Sequence, residues 1–157
     1  MAAHKIPPGH NRVSPYLIVR DAERALEFYK QAFGAVELFR HRGPDGKIGH
    51  AEVRIGDTII MLADEFPDHD AHAPAKFGGS PVSLHLYAED VDAVAAKAIA
   101  AGAKVKRPVA DQFYGDRLGT LEDPFGHTWH VSTHIEDVSP DELDRRAKKA
   151  MAEQRKS

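Results

Sequence analysis

The chain has 157 residues, with 24 Asp plus Glu against 21 Lys plus Arg, ten His and no Cys, and 42% of it is apolar. That length predicts one domain, 1–157, whose core needs no covalent staple, and the lack of cysteine excludes disulfides and thiolate chemistry. A net charge of -3 without a basic stripe argues against nucleic acid as a partner. The longest apolar run, Thr58 to Ala63, is too short to span a bilayer, and the opening Met1-Ala-Ala-His-Lys-Ile-Pro-Pro-Gly lacks the apolar stretch of a signal peptide. The expectation is a soluble cytoplasmic protein without a membrane partner.

In chain order, the first strand signal is Val13-Ser-Pro-Tyr-Leu-Ile-Val-Arg-Asp21, and it returns as Val82-Ser-Leu-His-Leu-Tyr-Ala-Glu-Asp90. Val13, Ser14, Leu17 and Asp21 meet identical residues at a constant offset of 69 residues, so the chain reads as two related halves. Each half continues from its Asp, a good N-cap, through a helical pattern to a glycine, Gly34 or Gly102. Ala22, Ala25, Leu26, Tyr29, Ala32 and Phe33 follow the 3.6-residue period, as do Val91, Val94, Ala95 and Ala98. Strands are predicted over 36–41, 48–55 and 58–63, with Gly43-Pro-Asp-Gly46 as a turn, and over 104–108, 117–121 and 127–133. The segment 64–80, rich in Asp, His, Pro and Gly, reads as a linker or surface loop between modules 10–63 and 81–135. Ser139-Pro-Asp-Glu142 opens a charged helix over 140–154, a solvated helix or a dimer brace.

Alternation assigns the strand faces. Val82, Leu84, Leu86 and Ala88 form an apolar face of the fifth strand, and Ser83, His85 and Tyr87 a polar aromatic one. Trp129 and Val131 go to the core, with Thr128, His130 and Ser132 opposite. In the first half the second face holds Ser14, Tyr16 and Ile18, with His50, Glu52 and Arg54 on one inner strand and Met61 on another. Two readings fit: a partly polar pocket, or a solvated sheet face whose His and Tyr pair with neighbours.

The duplicated strand, helix and three strands, with Leu26-Glu-Phe-Tyr-Lys-Gln-Ala-Phe-Gly34 and Glu122-Asp-Pro-Phe-Gly-His127, resembles the vicinal oxygen chelate superfamily. Ile55-Gly-Asp-Thr-Ile-Ile-Met-Leu-Ala-Asp-Glu65, Asp111-Gln-Phe-Tyr-Gly-Asp-Arg-Leu-Gly119 and Thr133-His-Ile-Glu-Asp-Val-Ser139 look like its PhnB-like, glyoxalase and bleomycin-resistance-like branch. The resemblance implies an α+β fold of two βαβββ modules with curved mixed β-sheets, often a homodimer, with pockets at the joint between modules. Metal-binding members carry His seven residues before each helix-opening Asp and Glu on each closing strand. Those positions fall here on Ser14, Ser83, Met61 and His130. Only His130 suits a divalent ion, whereas a catalytic site needs about three protein ligands.

The expectation is therefore a metal-free pocket without a cofactor that binds or sequesters a small organic ligand through Tyr16, Glu52, Met61, Ser83, His85, Tyr87, Tyr114, Arg117 and His130. Glu52 with His85 or His130 is a candidate general acid–base pair. Tyr114 and Arg117 are candidates to close over an anionic group, with Arg117 bridging to Asp116 or Asp123 as the plainer alternative. Another alternative is a lyase or isomerase resembling glyoxalase I, with one divalent metal ion per pocket held by His85, His130 and Glu52; a third is a structural or interaction domain without a pocket. His127 and His130 point to opposite faces, and His130 and His134 stand about 13 Å apart along a strand, so neither pair chelates an ion. His69 and His72 belong to the solvated segment.

Overall fold

The computed structural model describes residues 2–157; Met1, the first residue of the N-terminal stretch read above, lies outside the described residues. The elements are β1 (Tyr16–Val19), α1 (Ala22–Phe33), β2 (Val36–Arg42), β3 (Ile48–Ile55), β4 (Thr58–Asp64), β5 (Ser83–Tyr87), α2 (Val91–Ala100), β6 (Lys104–Asp111), β7 (Asp116–Glu122), β8 (Thr128–His134) and α3 (Pro140–Gln154). They form two four-stranded mixed sheets, ordered β1-β4-β3-β2 and β5-β8-β7-β6. In each, the first strand lies parallel to the last and the other pairings are antiparallel. This is an α+β fold of two βαβββ units with a C-terminal helix.

The repeat extends to the helix starts. The Asp21 side chain accepts from Arg24 N and that of Asp90 from Ala93 N. One residue on, Ala22 N donates to Asp64 Oδ1 at the end of β4, and Val91 N to Thr133 Oγ1 near the end of β8. Asp64 and Thr133 occupy equivalent positions and do the same work, satisfying a backbone donor that a helix start leaves open. Asp64 also accepts from Ile48 N, which ties α1 to the start of β3. Gly34 takes φ 66° after α1, a left-handed conformation in which glycine carries no Cβ penalty.

α1 packs on the first sheet, α2 on the second, and the two helices pack on each other. The layers run sheet, helix, helix, sheet, and one continuous core joins both units. Tyr29 of α1 rests against Trp129 of β8, Phe33 against the same indole, and Phe28 against Phe125. Each sheet therefore buries one face on the helices and turns the other outward. In register, Tyr16, Met61, Glu52 and Phe39 make one row of the first outer face. His85, His130, Thr120 and Arg107 make one row of the second.

Three details differ from the sequence reading. Segment 64–80 is ordered by two 3-10 turns, Pro67–His69 and Pro74–Phe77, each started by a proline. β6 runs on through Pro108 to Asp111, which an edge strand with register shifts tolerates. β7 begins at Asp116, one residue before the predicted start.

Candidate functional site

The outer edges of β1 and β5 are unpaired within the chain. Between them runs an open groove of about 980 Å³, with Ser14, Tyr16 and Leu17 on one side, Val82 to Tyr87 on the other, and Ile60 and Trp129 in its lining. Each strand contributes both faces here: Leu84 and Leu86 continue the apolar core, while Ser83, His85 and Tyr87 lead onto the second outer face. The lining mixes an apolar floor with polar groups.

On the second outer face the row is tied across neighbouring strands by side-chain hydrogen bonds. His130 is hydrogen bonded through Nδ1 to Thr120 Oγ1 at 2.9 Å and through Nε2 to Ser83 Oγ at 3.1 Å. His85 Nε2 lies 2.7 Å from Ser132 Oγ, and its ring stacks 4.6 Å from Tyr87. Tyr87 Oη donates to Asp116 Oδ2, whose other oxygen meets His134 Nδ1 at 2.8 Å. Burial first, and then the neighbouring His85 and Arg107, lower the His130 pKa, so this ring is neutral at pH 7.

The first outer face is organised by a different group. Tyr16 Oη is 2.8 Å from His50 Nδ1, His50 Nε2 is 3.1 Å from Glu52 Oε1, and Glu52 Oε2 is 2.9 Å from His10 Nε2. Burial works to raise the Glu52 carboxyl, but the hydrogen bonds from His50 and His10 outweigh it and hold Glu52 below the usual carboxylate range. Burial and the Glu52 charge push the Tyr16 phenol up. Met61 sits between Tyr16 and Glu52 in the same row.

Of the residues singled out from sequence, Tyr16, Ser83, His85 and Tyr87 line the groove. Glu52 and Met61 lie beyond it on the first outer face, and His130 on the second. Glu52 is not brought to His85 or His130; its partners are His10 and His50. Arg117 is a correction: its guanidinium binds Asp92 of α2 and Asp111, not Asp116, Asp123 or the groove. In register Arg117 lies opposite Thr133, on the side of the sheet that faces α2. Tyr114 packs edge-on against Phe113 in the loop before β7, away from the groove lining. His10 and His50 were missed as site residues; His50 carries a parity signal, but nothing in the pattern around His10 marks its return to Glu52.

The four positions to which the resemblance assigns metal ligands hold two hydroxyls, a thioether and one imidazole: Ser14, Ser83, Met61 and His130. Among the described residues no group of three or more His, Asp or Glu is close enough to hold a metal ion. This donor set does not fit a divalent metal, and no chemical step is routed through one.

Residues 9–131 match the Glyoxalase/Bleomycin resistance protein/Dioxygenase superfamily. Among curated proteins, the Uncharacterized protein Mb0911c of Mycobacterium bovis is 45% identical over 134 residues, which cover 83% of this chain and 88% of the relative. The Uncharacterized protein At5g48480 of Arabidopsis thaliana is 35% identical over 113 residues, 67% of each chain. Among solved structures, TioX from Micromonospora sp. ML1 aligns with a TM-score of 0.61 at 25% identity, covering 80% of this chain and 99% of that one. The fosfomycin resistance protein FosX from Mesorhizobium loti aligns at 0.59 and 20% identity, covering 78% and 91%, a likeness of fold alone. A match of this extent, on two βαβββ units with unpaired β1 and β5 edges, makes the chain a member of the glyoxalase/bleomycin resistance protein/dioxygenase superfamily.

Proposed function

We propose that the chain is a metal-free small-molecule-binding protein of the PhnB-like, bleomycin-resistance-like type, with a pocket completed by a second copy. The observation that carries this reading is the donor set: Ser14, Met61, Ser83 and His130 stand where metal-binding relatives keep ligands, and they suit contact with an organic molecule better than coordination. Within one chain α1 and α2 separate the two sheets, so the outer faces diverge and neither encloses a ligand. Each face exposes large side chains, Tyr16 and Phe39 on one and Tyr87 on the other. Together with the free edges of β1 and β5, these give a second copy a surface to cover. In such a dimer the Tyr16, Glu52 and Met61 wall of one copy faces the Ser83, His85, Tyr87 and His130 wall of the other.

The experiment is a thermal-shift screen of planar aromatic and anionic compounds, followed by calorimetry on the hits. A ligand at 100 times its dissociation constant adds about 2.7 kcal/mol to stability. His85→Ala and Tyr87→Ala are expected to weaken binding without lowering the Tm of the free protein. Binding by both variants equal to that of the parent contradicts the proposed pocket.

A further inference from the structure

The second outer face ends in a cation that nothing neutralises. In register Arg107 of β6 lies beside Thr120 of β7, Thr120 beside His130 of β8, and His130 beside His85 of β5, so the four share one side of the sheet. The charged groups around Arg107 are taken: Glu122 by Lys106, Arg117 by Asp92 and Asp111, and Asp116 by Tyr87 and His134. Arg107 itself is exposed and, among the described residues, has no carboxylate partner. Burial and His85 come first in lowering the His130 pKa and Arg107 adds to them, while burial and Asp116 raise that of Tyr114 and Arg107 opposes them. The guanidinium therefore lies within electrostatic reach of both rings. A row of rings leads toward it from the groove, which Tyr87 and His85 line. Tyr87 is centred 4.6 Å from His85, and His85 6.0 Å from His130, with planes 31° and 43° from parallel. The Tyr87 hydroxyl and both His130 nitrogens are already bonded within the sheet, so what these two offer a bound molecule is ring surface. Four strands side by side span about 14 Å, room for a two-ring acid and an extended arginine side chain.

We propose that the second outer face is a site for planar aromatic carboxylates, with the ring system along Tyr87, His85 and His130 and the carboxylate on Arg107. The inference rests on the pocket reading above and gives its ligand a chemical class. The guanidinium presents a planar fork that matches a carboxylate with two parallel hydrogen bonds. The rings supply stacking area without a competing charge, because Asp116 and Glu122 are already paired. Arg107 selects the acid; Tyr87 and His85 hold its rings.

The probes are 2-naphthoate and its neutral isostere 2-naphthamide, titrated by calorimetry into the full, untagged chain. The acid is expected to bind at least about tenfold more tightly than the amide, the usual worth of a hydrogen bond to a charged group. Arg107→Gln is expected to abolish that preference, and Arg107→Lys, which keeps the charge and loses the fork, to restore part of it. Lys106→Gln, which removes a neighbouring cation already paired with Glu122, is expected to keep the preference. Tyr87→Ala is expected to weaken both compounds alike. Circular dichroism checks the fold of each variant. Equal binding of acid and amide, or a preference that survives Arg107→Gln, overturns the carboxylate site while the pocket stands. An Arg107→Gln chain that keeps the preference and sediments differently assigns Arg107 to a contact between copies, which also overturns it. If neither compound binds, the carboxylate site is overturned, and the pocket stands or falls on the wider compound screen.

Discussion

Asp123 is 3% exposed and collects four donors: Tyr29 Oη at 2.7 Å, Trp129 Nε1 at 3.0 Å, and the backbone N–H groups of Phe125 and His127. Tyr29 belongs to the first unit and Asp123 to the second, so this one side chain fastens the two halves inside the core. Burial, then Asp123, pushes the Tyr29 phenol well above its ordinary value, so it remains a donor at every physiological pH. Tyr29→Phe is expected to cost about 1–3 kcal/mol, because it leaves a buried acceptor short of a partner. Asp123→Ala, which strands several donors at once, is expected to cost more; urea denaturation measures both. The His130 ring gives a second check. Its pKa is lowered in the fold, so its contribution to stability is present above pH 6.5 and declines as pH falls through and below that value. In His85→Ala, NMR titration is expected to place the His130 midpoint higher than in the parent. At this scale the sequence made part of the site legible, because alternation alone puts Ser83, His85, Tyr87 and His130 on one face. It did not show that Arg117 is taken up by Asp92 of α2, 25 residues away, and by Asp111, and it passed over His10, whose partner lies 42 residues away.

Among the three α-helices, α3 stands apart: none of its residues is buried. Two attachments hold it near the second unit. Arg146 reaches Glu136 and the Phe113 carbonyl, and His134 links Asp116 to Asp137 in the segment leading to the helix. Gly115 allows this segment to pass: it takes φ 100°, and its carbonyl accepts from Ile135 and Glu136 N–H, while a Cβ there would strike the Glu136 carbonyl. Hydrogen bonds to Asp137 and then Asp116 raise the His134 pKa above 6.5. The stabilisation from the charged ring is complete below pH 6.5 and is lost as pH rises through the raised value. Amide exchange in 135–146, corrected for its intrinsic pH dependence, is expected to accelerate across that rise at low salt, and to be fast at both ends in His134→Ala. The helices were the most legible elements, because caps, period and terminal glycine agree for α1. Segment 64–80 was less so: its two turns depend on Ala73 and Pro74 finding burial and on Glu65 accepting from Ala73 N, contacts that composition does not encode.

For the whole molecule, the offset of 69 residues carried the architecture from the start, since two copies of one unit repeat both their strands and the residues that anchor their helices. How the units face each other was not written in the repeat. That follows from side chains on the helix side, Phe28, Tyr29, Phe33, Phe125 and Trp129, which draw α1 and α2 to the centre and turn the outer faces apart. If a second copy completes the pocket as proposed, sedimentation is expected to give twice the 17.3 kDa chain mass. Val82→Glu, a charge at the exposed groove-lining residue just before β5, is expected to shift the protein toward monomer and to weaken ligand binding with it. A parent that sediments as a monomer and still binds contradicts the shared pocket.

A pocket that works without a metal is tested most directly by metal content. Untagged protein, purified without chelators, is offered zinc, manganese, nickel and iron(II) in turn and then desalted. No stoichiometric retention of any of them is expected, because Ser14, Met61, Ser83 and His130 provide one good donor among four. Retention near one ion per pocket, lost in His130→Ala, would contradict it and return the chain to the metal-dependent members of its superfamily.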